Sequence, residues 1–166
     1  MTKETYLKMT QPFRDNPKRA KSLHICNKIL AAAVFVAYPL LVVWLFMQRS
    51  PAVIKAVLVP LDGFLVISVV RCLINRPRPY EKYEVAPVIP KETRGKSCPS
   101  RHVFSAAVIA LTFLAQPGFL PAGILLLIAA AAISVIRVVS GVHFISDVLA
   151  AWGFAALAWL IGFYVF

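Results

Sequence analysis

The sequence predicts an all-α protein, a polytopic membrane helix bundle with about five transmembrane helices and an N-terminal amphipathic or surface segment. Three observations predict it. The 166 residues are 60% hydrophobic with a mean hydropathy of +0.76, too apolar for an ordinary soluble domain. Apolar runs near the length that crosses a ~30 Å hydrocarbon core recur along the chain. They are continuous rather than alternating, which favours helices over barrel strands, and cations flank them.

Residues 1–26 are basic, with Lys3, Lys8, Arg14, Lys18, Arg19 and Lys21 against Glu4 and Asp15. Tyr6, Leu7, Met9 and Phe13 add apolar character, so this segment is expected to lie on the membrane surface. A single transmembrane domain, 27–166, follows it. The first apolar run, 27–47, ends in LFMQRS without a small-residue cleavage site and reads as an uncleaved span. The second, 52–74, contains Lys55 and Asp62 seven residues apart, on one helix face. A structural pair or an interhelical hydrogen bond is the expected role of these two.

A polar segment, 75–101, separates the second run from the third, 100–116. The third is short, covering only about 25 Å as a helix. Pro117-Gly118 makes a turn before the fourth run, 119–139, and the fifth spans 146–166. Cys26, Cys72 and Cys98 are odd in number and widely spaced, so they read as free thiols, one or two of them buried. The net charge of +11 sits at the flanks of apolar spans. That placement fits anionic lipid headgroups or an anionic substrate rather than nucleic acid.

Counting crossings brings four points to one membrane face: the end of span two, the start of three, the end of four and the start of five. Each carries ionisable residues. They read RCLINRPRP at 71–79, CPSRH at 98–102 and RVVSGVHFISD at 137–147. From Val103 to Phe166 the only formally charged side chains are Arg137 and Asp147, and the only histidine is His143. Guanidiniums fork onto phosphate oxygens, so Arg71, Arg78, Arg101 and Arg137 are candidate phosphate ligands. Ser100 adds a hydroxyl near a helix N-terminus, where anions are favoured. Arg76 is a weaker candidate. His102 and His143 can move protons near neutral pH. Asp147, four residues after His143, is spaced to fix its tautomer and free the other nitrogen to attack. So many arginines repel a divalent cation, and no metal or other cofactor is expected.

The three clusters resemble the signatures of the type 2 phosphatidic acid phosphatase superfamily, which includes vanadium-dependent haloperoxidases. Arg71 stands where the first signature has Lys, six residues before Arg78-Pro79. Pro99-Ser100-Arg101-His102 stands for Pro-Ser-Gly-His. Arg137, His143 and Asp147 match Arg, five residues, His, three residues, Asp. Arg71 replaces Lys, Arg101 replaces Gly, and Ile136 replaces the usual Ser before the third-signature Arg. Many relatives have six spans, so the N-terminal segment stands in for the first.

The resemblance implies a metal-independent phosphatase. His143 would attack phosphorus and carry a phosphohistidine, with Asp147 orienting it. His102 would protonate the leaving oxygen and then activate water. Arg71, Arg78, Arg137, Ser100 and the Arg101 amide would hold the phosphoryl oxygens. The implied partner is a phosphorylated lipid of the cell membrane: an isoprenyl diphosphate such as undecaprenyl diphosphate, phosphatidylglycerol phosphate, or phosphatidate. Two alternatives stand beside it. One is a non-catalytic lipid-phosphate binding or transport protein. The other is a haloperoxidase, which five spans and a short chain disfavour. The positive-inside rule assigns the site face to the cytoplasm, whereas many relatives are thought to act on the outer face, so orientation stays open.

Overall fold

A computed structural model describes residues 1–165. Its order is α1 (Lys3–Arg14), α2 (Pro17–Met47), α3 (Ala52–Ile74), α4 (Pro79–Tyr83), α5 (Arg101–Leu114), α6 (Leu120–Val139), α7 (Ile145–Leu160) and a π-helical turn, Ile161–Val165. No strand occurs among the described residues. Four stretches are long and apolar enough to cross a membrane, built on α2, α3, α6 and α7 with its π-turn. Their exposed faces carry large apolar side chains, including Leu40 and Val43 on α2, Leu65 and Val69 on α3, Leu125 on α6 and Leu149 on α7. A water-facing surface of that kind would aggregate, whereas lipid is its natural solvent.

The fifth expected span, α5, is the centre of the bundle and packs against α2, α3, α6 and α7. Its alanines at 106, 107 and 110 are fully buried and let neighbouring backbones approach. At Gly63 of α3 an added Cβ would lie 2.6 Å from Phe104 of α5, so glycine is required there for contact. Fourteen residues give α5 a length of only about 21 Å. Because protein rather than hydrocarbon surrounds it, its ends need not reach both headgroup layers.

Several polar groups within the bundle bond between helices. Tyr38 on α2 donates to the Ala56 carbonyl on α3 at 3.0 Å, and Trp152 Nε1 on α7 donates to Ser134 Oγ on α6 at 3.0 Å. Lys55 Nζ reaches the Phe163 carbonyl at 3.4 Å, the interhelical form of the expected role. Asp62 makes no ion pair among the described residues and lines an apolar groove between α3 and α7.

The N-terminal segment is more ordered than a surface tail. Asn16 caps α2, its side chain accepting from the amides of Lys18 and Arg19, so α2 begins at Pro17, well before residue 27. The basic run Lys18–Lys21 therefore forms the first turns of a long helix rather than part of a separate arm. Helix α1 folds back onto the end of the bundle where α3 finishes. Tyr6 is fully buried, donates to the Val85 carbonyl at 3.2 Å and packs on Tyr83. The three thiols are free as expected, but none is fully buried: Cys26 and Cys72 are exposed and Cys98 half-buried.

Candidate active site

The C-terminal end of α6 shapes the site. Arg137 lies in its last turn, and Gly141 follows in the left-handed region at φ +77°. That turn lets the Arg137 carbonyl accept from both Val142 N and His143 N at 3.3 Å. An added Cβ at Gly141 would also meet Tyr6 Oη at 2.5 Å, so α1 closes directly over this turn. His143 is thereby held against the first turn of α7.

Asp147 is fully buried and its carboxylate is saturated with donors. Oδ2 accepts from Ser97 Oγ at 2.5 Å and from the Phe144 amide at 2.9 Å, and lies 3.5 Å from His143 Nδ1. Oδ1 accepts from Arg76 Nη1 at 2.9 Å. The Phe144 bond places Asp147 at the third position of α7, where a carboxylate meets the helix N-terminus. His143 sits two residues before the first residue of that helix, with Nε2 3.5 Å from Arg78 Nη1. Burial is the main influence on His143 and pulls its pKa from 6.5 down to about 4. The hydrogen bond to Asp147 opposes this and Arg78 adds to it. The imidazole is therefore neutral at pH 7.

A cavity of about 180 Å³ lies beside His143, and Arg71, Arg78, Arg101, His102, Arg137 and His143 all line it. Six of the eight site residues expected from the sequence thus share one space. The other two, Ser100 and Asp147, are fully buried outside its lining. Ser100 caps α5, its amide donating to the Asp147 carbonyl at 3.1 Å, while its hydroxyl has no hydrogen-bond partner. Arg71 reaches across from α3 to donate to the Pro99 carbonyl at 2.6 Å. Arg78 donates to the carbonyls of Gly95 and Val142, both at 3.2 Å. Arg137 is buried with Nε unpartnered. An unpartnered buried donor is costly, and an anion in the cavity is the natural relief.

Arg76 has a different place. It bonds Ser146 Oγ at 2.8 Å as well as Asp147, and lies over the Phe144 ring at 4.3 Å. It anchors α7 and does not line the cavity.

Sequence reasoning missed several residues. Ser97, fully buried, joins Asp147 and approaches His143 Nδ1 at 3.5 Å. Ser68 and Cys72 of α3, and Lys91, Thr93 and Lys96 of the segment before α5, also line the cavity. Burial, then the arginines at 78, 137, 101 and 71, lower the Lys91 pKa. The available signal was KETRGK, three cations in six residues inside a stretch that otherwise reads as a connector.

The fold and site define a multi-pass helical membrane protein with a cation-lined cavity at one end of the bundle. Residues 51–166 match the model of the PAP2 superfamily, and the chain belongs to that superfamily. No curated protein matches it. Among solved structures it is similar to LpxE of Aquifex aeolicus, with a TM-score of 0.74 and 22% identity over 96% of this chain and 92% of that one. It is also similar to a transmembrane PAP2 type phosphatidylglycerolphosphate phosphatase from Bacillus subtilis, with a TM-score of 0.71 and 22% identity over 96% and 83%. At that identity the likeness is one of fold.

Proposed function

We propose that the chain is a phosphatase of the cell membrane that hydrolyses a phosphomonoester or diphosphate of a membrane lipid through a phosphohistidine on His143. One observation carries this reading. His143 is tied to Asp147 through Nδ1, while the residue lines a cavity walled by arginines and His102. Neutral imidazole, oriented by a buried carboxylate and facing cations, suits attack on phosphorus. The superfamily membership and the phosphatase named among the similar structures support it.

In the first step His143 Nε2 forms the N–P bond as the bond to the leaving oxygen breaks. His102, protonated once the anionic phosphate is bound beside it, gives that oxygen its proton. In the second step His102 takes a proton from water, whose oxygen attacks phosphorus and expels the imidazole as inorganic phosphate departs. Arg71, Arg78 and Arg137 balance charge on the phosphoryl oxygens in both steps. Arg101 and the α5 N-terminus, capped by Ser100, add to that field. Nothing in this scheme requires a metal. Apolar helix faces on every side suit a substrate whose tail stays in the bilayer.

The test is a phosphate-release screen of purified protein over phosphatidate, phosphatidylglycerol phosphate, and polyprenyl mono- and diphosphates. Release from at least one of them is expected. Binding without release from any would instead support a non-catalytic lipid-phosphate carrier.

A further inference from the structure

The cations around the cavity fall into two sets. Arg71, Arg78 and Arg137 are buried and come from helix ends and the α4 cap, close to His143. Lys96 and Arg101 are exposed and Lys91 half-buried, forming the rim with the hydroxyl of Thr93. No carboxylate lines this cavity. The segment 91–96 also sorts its charges. Thr93 and Lys96 line the cavity, Lys91 lies between it and a neighbouring groove, and Glu92 and Arg94 line that groove with Glu81 and Glu84. Among the described residues no ion pair involves Lys91, Lys96 or Arg101.

A phosphomonoester carries at most two negative charges, and the inner arginines already match it. Three further cations, none of them held in an ion pair, are in excess for a single phosphoryl group. Arg101 also lies over Phe64, its guanidinium carbon 5.7 Å from the ring centroid. Phe64 lines an apolar groove between α2, α3 and α5, so the rim meets a path suited to a lipid tail.

We propose that Lys91, Thr93, Lys96 and Arg101 form an outer phosphoryl subsite, so that the preferred substrate is a lipid diphosphate. This rests on the phosphatase reading above and narrows its substrate class. The terminal phosphoryl group sits among the inner arginines and the lipid-linked one at the rim. His143 Nε2 bonds the terminal phosphorus as its bond to the bridging oxygen breaks. The lipid monophosphate leaves with that oxygen, and the rim cations neutralise the charge it gains. Water then releases inorganic phosphate from His143.

The experiment compares a monophosphate and a diphosphate on the same polyprenyl tail, in wild type and in Lys91→Ala/Lys96→Ala. The ratio of kcat/KM for diphosphate over monophosphate is expected to fall at least tenfold, and to recover in Lys91→Arg/Lys96→Arg. An unchanged ratio overturns the subsite. Binding of methylenediphosphonate relative to methylphosphonate, by calorimetry, judges the subsite without turnover. The wild-type preference for the diphosphonate is expected to shrink at least tenfold in the alanine variant, and a preference that persists overturns the proposal. Wild-type protein that hydrolyses neither lipid would defeat the phosphatase reading, while the binding arm still reports on the subsite.

Discussion

Ser97 donates to Asp147 at 2.5 Å, closer than any other donor to that carboxylate and much closer than His143 at 3.5 Å. The carboxylate is thus positioned mainly by groups other than His143. Removing the Ser97 hydroxyl leaves Asp147 with fewer donors and freer to rotate. Ser97→Ala should lower kcat by about 10–100-fold with little change in KM, and Ser97→Thr should restore part of it. Steady-state kinetics on a lipid phosphate that the wild type hydrolyses check this. A rise in KM with kcat intact would mean Ser97 serves binding instead.

Asp147→Asn keeps the shape of the hub and removes its charge. The amide can present a donor to Nδ1 and so favour the wrong imidazole tautomer. Loss of about 10³–10⁴-fold in kcat is expected, the scale known for the equivalent change in a serine protease triad. Arg76→Ala should also reduce activity, by a smaller factor, since it removes the cation on Oδ1 from outside the cavity.

The pH profile carries a sign that follows from burial. His143 is held near 4 when folded, against 6.5 in the open chain. The limb of kcat/KM that reports its protonation should fall away near pH 4 and not near 6.5. In Asp147→Asn that limb should move lower still, because the lost hydrogen bond was raising the pKa. Between pH 6.5 and 4 the unfolded chain binds a proton that folded His143 refuses. Its contribution to stability is therefore full above 6.5 and declines as pH falls towards 4. Rate profiles and thermal unfolding in detergent across pH 4–8 measure both.

Helix α1 closes over the turn that presents His143, so changes there should reach the chemistry. Gly141→Ala meets both a positive φ and Tyr6, and should cost at least about 1–2 kcal/mol from the backbone alone. Tyr6→Ala should cost about 3–5 kcal/mol through lost packing, and Tyr6→Phe about 0.5–1.5 kcal/mol through one hydrogen bond. Thermal unfolding in detergent orders the three. An undisturbed Tm in Tyr6→Ala would mean α1 is not seated on the turn.

The bundle was legible because lipid-facing helices announce themselves by length and apolarity, and α2, α3, α6 and α7 did so. Counting crossings then put the ends of α3 and α6 and the starts of α5 and α7 together, and contacts such as Arg71 to Pro99 join them. The start of α2 was misjudged because the Asn16 cap lies ahead of a basic stretch that hydropathy reads as non-membrane. Ser97 and Lys91 were missed for another reason. They belong to a segment with no regular period, and its path over the cavity is set by tertiary bonds such as Ser97 N to the Arg76 carbonyl at 2.9 Å. Arg76 was hard to rank because an arginine that holds a carboxylate and one that lines a cavity look alike in sequence.

The most direct measurement of the central claim is a rapid-quench trap with a lipid phosphate labelled in its phosphoryl group. Wild-type protein should carry label that is stable in base, labile in acid and lost on further incubation in water. The label should be absent from His143→Ala, whose thermal unfolding should stay close to wild type. Label that survives on the His143→Ala chain, or turnover retained by that variant, would contradict the account.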